Sequence, residues 1–167
     1  QGNILPRENR KAGHDVTIIT SCYQWDDSGQ ITKVPEQDTI TDDGIRLVRL
    51  EFDKIISDFF SLKLRKSRKL KNYLYQLKPD VVFHHDIEGY ELLTVSMYKR
   101  EFPETKFYVD SHSDKYNSAQ NWLSKYVLHK IFYGRILKTS LRYIDRLFYI
   151  SYDVKDFLKE VHNIKDD

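Results

Sequence analysis

Apolar and polar stretches alternate along the chain in a regular order. Short runs rich in β-branched or aromatic residues predict strands at 16–20, 45–50, 81–84, 107–109 and 147–150. Helical spacing of apolar positions predicts helices at 62–78, 88–101, 118–143 and 153–161. Strands that alternate with helices predict an α/β fold, a Rossmann-like open parallel sheet with helices on both faces. We expect residues 1–167 to form a single domain of this kind.

The first part of the chain departs from this order. Residues 1–13 predict a loop and a helix that ends at Gly13, and residues 23–43 are polar and predict a loop. No strand precedes the first helix, so the first strand of the sheet is missing. We therefore expect the natural polypeptide to extend upstream by about one strand. Near the other end, Ser151 is predicted to cap the last helix.

Composition excludes several classes of protein. The chain carries 27 basic and 25 acidic residues, a net charge of +2, which argues against a general nucleic-acid binder. Cys22 is the only cysteine, so the chain can form neither an internal disulfide nor a cysteine-rich zinc site, and the cytoplasm is the expected compartment. No apolar run approaches the roughly 20 residues that a membrane-spanning helix needs.

Two polar clusters stand where predicted strands end. His84, His85 and Asp86 follow one strand, and residues 110–114 follow the next. The carboxyl ends of parallel strands meet at one edge of a sheet, where ligands of α/β proteins bind. At most one of His84 and His85 can face that edge, because neighbouring side chains of a strand point to opposite faces.

These clusters allow more than one function. A metal-dependent hydrolase could draw its zinc or manganese ligands from side chains of both clusters, namely His85, Asp86, Asp110, His112 and Asp114. A non-catalytic sugar-binding module is a further alternative.

Several segments, in order along nearly the whole chain, resemble one known family. They are Gly13-His14-Asp15-Val16 with the strand that follows, Asp43-Gly44-Ile45, Leu77-Lys78-Pro79-Asp80-Val81-Val82, His85-Asp86, Val109-Asp110-Ser111-His112, and Ile150-Ser151 with residues 154–158. This pattern resembles the N-terminal domain of family 4 glycosyltransferases, which have the GT-B fold and retain the anomeric configuration of the transferred sugar.

The resemblance implies a role for particular residues. His112 is the implied catalytic residue, Gly2 and Asn3 approach the donor diphosphate, and the acceptor side includes His85, Asp86, Asp110, Tyr116 and Asn117. Asp110 could instead only anchor its loop. The family's C-terminal domain, which holds most of the nucleotide-sugar site and a pair of glutamates, is missing from this chain. We expect no metal ligand and no cofactor in this half, a UDP- or GDP-sugar donor for the whole enzyme, and no turnover by the isolated half.

A basic stretch is a candidate contact with an anionic membrane surface. Six cations without an acid lie between residues 63 and 71, namely Lys63, Arg65, Lys66, Arg68, Lys69 and Lys71. Such a run is usually a solvated helix face, but enzymes of the resembled family often act on lipid-linked acceptors. Basic side chains near anionic lipid each contribute about 1 kcal/mol to binding. The expected location is therefore cytoplasmic, with peripheral attachment to the inner membrane face as an option.

Overall fold

The computed structural model of the chain describes residues 4–54, 57–112, 132–149 and 151–162. Its helices are α1 (Ile4–Lys11), α2 (Asp58–Leu64), α3 (Arg68–Leu77), α4 (Tyr90–Glu101), α5 (Gly134–Leu141) and α6 (Tyr152–His162). Its strands are β1 (Thr17–Ser21), β2 (Tyr23–Trp25), β3 (Ile31–Lys33), β4 (Gln37–Ile40), β5 (Arg46–Leu50), β6 (Val81–His85), β7 (Lys106–Ser111) and β8 (Arg146–Tyr149). The α/β class predicted from the sequence is confirmed.

The chain divides into two compact units. The first unit comprises Gln1–Leu62 with Ser67–Leu70, and the second comprises Lys63–Lys66 with Lys71–Asp167. The described strands form three sheets, in the orders β1-β5-β4, β2-β3 and β6-β7-β8, where the sequence predicted one.

The first unit contains a sheet of three strands. β1 runs parallel to β5, with Ile18 opposite Leu47, which confirms the two strands predicted there. Helix α1 ends at Lys11, and Gly13 just beyond it stops the helix as predicted, because its φ of 91° gives the left-handed turn that glycine tolerates best. The amide N–H of His14 then donates to the carbonyl of Asn9, which satisfies the end of the helix.

The prediction of a loop at 23–43 was wrong, because this segment contains three strands. Asp26 Oδ1 accepts hydrogen bonds from the amides of Ser28 and Gln30 and closes a turn between β2 and β3. β4 pairs antiparallel with β5, and Arg46 makes two hydrogen bonds to Asp38 across that pair, of 2.8 and 2.7 Å. All four residues of β4 are exposed, so no apolar alternation marked it in the sequence.

The second unit contains the parallel sheet that the later part of the sequence predicted. β7 pairs in parallel with β6 on one side and with β8 on the other. Phe107 and Val109 of β7 are completely buried, and helix α4 packs against α5. The predicted helices at 88–101 and 153–161 are confirmed as α4 and α6, and the Ser151 hydroxyl accepts from the Val154 amide as the expected cap.

Two predicted helices differ from the structure. The helix expected over 62–78 is divided into α2 and α3, because Arg65 has a φ of 48°, which a right-handed helix cannot contain. Of the helix expected over 118–143, the described part is α5, in which Leu137 is buried, as is Tyr133 just before it. None of the helices within the described ranges is long and apolar enough to cross a membrane.

Candidate functional site

The two clusters predicted at strand ends meet at the carboxyl ends of β6 and β7. The register of these parallel strands places His85 directly opposite Asp110. Side chains at alternate positions of a strand share a face, so Phe83 lies on the same face as His85. The Phe83 and His85 rings meet edge to face, with 5.2 Å between their centroids. His112 lies just beyond the end of β7 and brings its ring within 6.1 Å of the His85 ring.

Asp110 is the shared hydrogen-bond acceptor of this site. His85 Nδ1 and His112 Nε2 each lie 2.9 Å from Asp110 Oδ2. The backbone amide of Asp86 donates to the other carboxylate oxygen, Oδ1, at 3.2 Å. An ionised carboxylate can only accept, so His85 must carry a proton on Nδ1 and His112 on Nε2. Asp110 therefore fixes both the orientation and the tautomer of two histidines.

The hydrogen bonds also decide the charges of the site. Burial alone would raise the pKa of Asp110, but the hydrogen bonds from His85, His112 and Asp86 outweigh it and lower the pKa to about 2. The same hydrogen bond from its ring to Asp110 raises the pKa of His85 against the opposing effect of burial. Asp110 is thus an anion at neutral pH although its side chain is only 11% exposed. The site pairs a buried negative charge with two more accessible imidazoles.

The other two members of the first cluster are turned away from Asp110's carboxylate. His84 Nδ1 lies 2.8 Å from the backbone carbonyl of Asp86, and burial lowers the pKa of His84 to about 4. This agrees with the prediction that at most one of the two histidines faces the edge at which the strands end. Asp86 has a φ of 75°, and its Oδ1 accepts from the Ile87 amide, so it joins the site through its backbone N–H.

Several candidate residues predicted from the sequence lie outside the described ranges. They are the donor-side Gly2 and Asn3, the acceptor-side Tyr116 and Asn117, and the alternative metal ligand Asp114. The structure brings together His85, Asp110 and His112. These three residues could hold a metal ion, because one ligand atom from each lies within 4.8 Å of the others.

Sequence reasoning missed two features of the site. It offered loop anchoring as the alternative for Asp110, whereas the carboxylate joins two histidines from different segments. It also left out Phe83, whose ring supports His85. Phe83 could have been found from its position two residues before His85 on the same strand.

The basic stretch is partly engaged within the chain. Arg68 and Lys69 form ion pairs with Asp53 and Glu36, at 3.3 and 2.5 Å. Lys66 lies over the Tyr90 ring and Lys71 over the Tyr75 ring, at 5.2 and 5.1 Å from the centroids. Four of the six cations of the basic stretch therefore contact other groups of the chain.

The chain matches no protein-family model and no curated protein sequence.

Proposed function

We propose that this chain is the acceptor-binding N-terminal half of a retaining glycosyltransferase with the GT-B fold, with His112 as its catalytic residue. The observation that carries the proposal is the meeting of His85, Asp110 and His112 at the carboxyl ends of two parallel strands. That edge of an α/β sheet is where ligands bind. The segments that resemble family 4 enzymes include all three residues.

The pairing of the strands supports the Rossmann-like part of the proposal. A doubly wound sheet has the strand order 3-2-1-4-5-6. Parallel neighbours of this kind occur within each unit, β1 with β5 in the first and β7 with β6 and β8 in the second.

The chemistry of the site suits a group-transfer reaction on a sugar. Asp110 holds the His112 ring through Nε2, which leaves the lone pair of a neutral ring on Nδ1. At Nδ1 the neutral ring would accept a hydrogen bond from a hydroxyl of the donor sugar, and after protonation it would donate one to the departing phosphate. His85, whose side chain is 51% exposed, would contact hydroxyl groups of the acceptor.

The remaining parts of the proposal concern partners. The donor would be a UDP- or GDP-sugar held mainly by a C-terminal domain of the same polypeptide, approached from this half by Gly2 and Asn3. The acceptor would be a glycan or a lipid-linked sugar in the cytoplasm. Attachment to anionic lipid would use the basic stretch, in which Arg68 and Lys69 remain 85% and 55% exposed although both form ion pairs.

The test uses the complete polypeptide that contains this chain. UDP- and GDP-hexoses are supplied with glycan and lipid-linked acceptors, and release of the nucleoside diphosphate is followed. We expect transfer with retained configuration, and we expect His112→Ala to lower kcat about 100-fold or more, the scale of a positioned imidazole. His14→Ala is the matched control, because His14 is exposed and lies in the other unit. Near-normal turnover by His112→Ala, or equal losses in both variants, would refute the role of His112.

A further inference from the structure

We propose that His85, Asp110 and His112 form a binding site for a divalent transition-metal ion, and that zinc fits their ligand chemistry best. Two imidazole nitrogens and one carboxylate oxygen are ligands that zinc takes in proteins. One such atom from each residue lies within 4.8 Å of the other two. The two histidines come from different segments, which the pairing of β6 with β7 brings to one place.

The distances require little movement to admit an ion. Zinc bonds of about 2.0–2.2 Å at tetrahedral angles separate the ligand atoms by about 3.3 Å. In the structure Asp110 Oδ2 lies 2.9 Å from His85 Nδ1 and 2.9 Å from His112 Nε2. Small rotations of the partly exposed rings would open these distances, while the paired strands keep the backbone in place.

Binding would replace the two protons that now lie between the rings and the carboxylate. Each neutral ring would move its proton to its other nitrogen, which is Nε2 in His85 and Nδ1 in His112. The nitrogens that now donate to Asp110 would then donate their electron pairs to the ion. Coordination to the ion would thus replace the hydrogen bonds between Asp110 and the two histidines.

The surroundings resemble those of a metal site with room for a further ligand. The Asp86 amide donates to Asp110 Oδ1 and so leaves Oδ2 directed at both rings, as outer-shell groups do around metal ligands. Three protein ligands leave a fourth tetrahedral position for water or a substrate atom. The rings of His85 and His112 are 51% and 33% exposed, so this position is open to small ligands.

The proposal is tested by binding rather than by turnover. The chain is stripped with a chelator and titrated with zinc chloride in a calorimeter, and cobalt(II) is used in a second titration followed by visible absorption. We expect one ion per chain and the absorption bands of four-coordinate cobalt. We expect His85→Ala, His112→Ala and Asp110→Asn each to weaken zinc binding at least tenfold. His14→Ala, which changes an exposed histidine elsewhere, should bind like the wild type.

The outcomes separate this proposal from the proposed function. Absence of zinc binding by the wild type, or equal binding by the His85, His112 and His14 variants, would overturn the metal site. Circular dichroism checks that each variant is folded. Because both histidine side chains are partly exposed, we expect their replacement to leave the fold intact. Transferase activity without zinc binding would refute the metal site alone. Zinc binding without transferase activity would refute the transferase and favour the metal-dependent hydrolase.

Discussion

Replacing Asp110 with alanine tests the central feature of the site, the carboxylate shared by two histidines. The hydrogen bonds from His85 Nδ1 and His112 Nε2, both 2.9 Å long, would be lost. The Asp86 amide would keep its other acceptor, the backbone carbonyl of residue 110 at 3.0 Å, so it adds little to the loss. A hydrogen bond to a charged group contributes about 1.5–3 kcal/mol when buried, and partial exposure of the rings reduces each to about 1 kcal/mol. We therefore expect Asp110→Ala to lower the free energy of unfolding by about 2 kcal/mol.

Urea unfolding followed by circular dichroism measures this loss. Asp80→Ala is the matched control, because Asp80 is exposed and precedes β6 in the same unit. It should change the free energy of unfolding by less than about 0.5 kcal/mol. Nitrogen-15 NMR of the histidine rings, at a pH where they are neutral, gives a second measurement. The wild type should show the proton on Nδ1 of His85 and on Nε2 of His112. Opposite tautomers, or equal losses in the two variants, would refute the reasoning.

Two further predictions concern the segment around the start of α4. Burial raises the pKa of Glu91 from 4.5 to about 7, so stability should fall as pH rises between these values, because the folded state binds the extra proton. Glu91→Gln should remove this fall and raise the free energy of unfolding by up to about 3 kcal/mol over wild type at pH 8. Urea unfolding at several pH values measures this, with Glu104→Gln, a change of an exposed glutamate, as the control. Equal dependence on pH in Glu91→Gln and wild type would contradict the prediction. Gly89 has a φ of 100°, and an added Cβ would lie 2.9 Å from Arg65 carbons. Gly89→Ala should therefore lower the free energy of unfolding by about 2–4 kcal/mol. Gly29→Ala, whose Cβ would meet open space, should lower it by about 1 kcal/mol. Equal losses in the two variants would show that the contact with Arg65 does not matter.

Prediction from the sequence succeeded where local patterns are strong. The β-branched run of β1 and the aromatic run of β7 form strands, and the glycine that follows α1 ends that helix. It failed for β4, which is exposed on every residue, and at Arg65, whose backbone conformation breaks a periodic apolar pattern. For β4 the cause is its pairing with β5, a partner elsewhere in the chain that decided the local conformation.

The sequence by itself determined the α/β class and placed the histidine and aspartate clusters at the ends of two strands, because hydrophobic periodicity and strand ends are local properties. Only the tertiary structure decided that Asp110 is the acceptor shared by His85 and His112, and that His84 is turned away. These relations depend on the register between β6 and β7, which the 20 residues between the two strands do not encode in any local pattern. The same register makes Asp110 an ionised, largely buried group beside two accessible rings, and this arrangement carries both the proposed function and the proposed metal site.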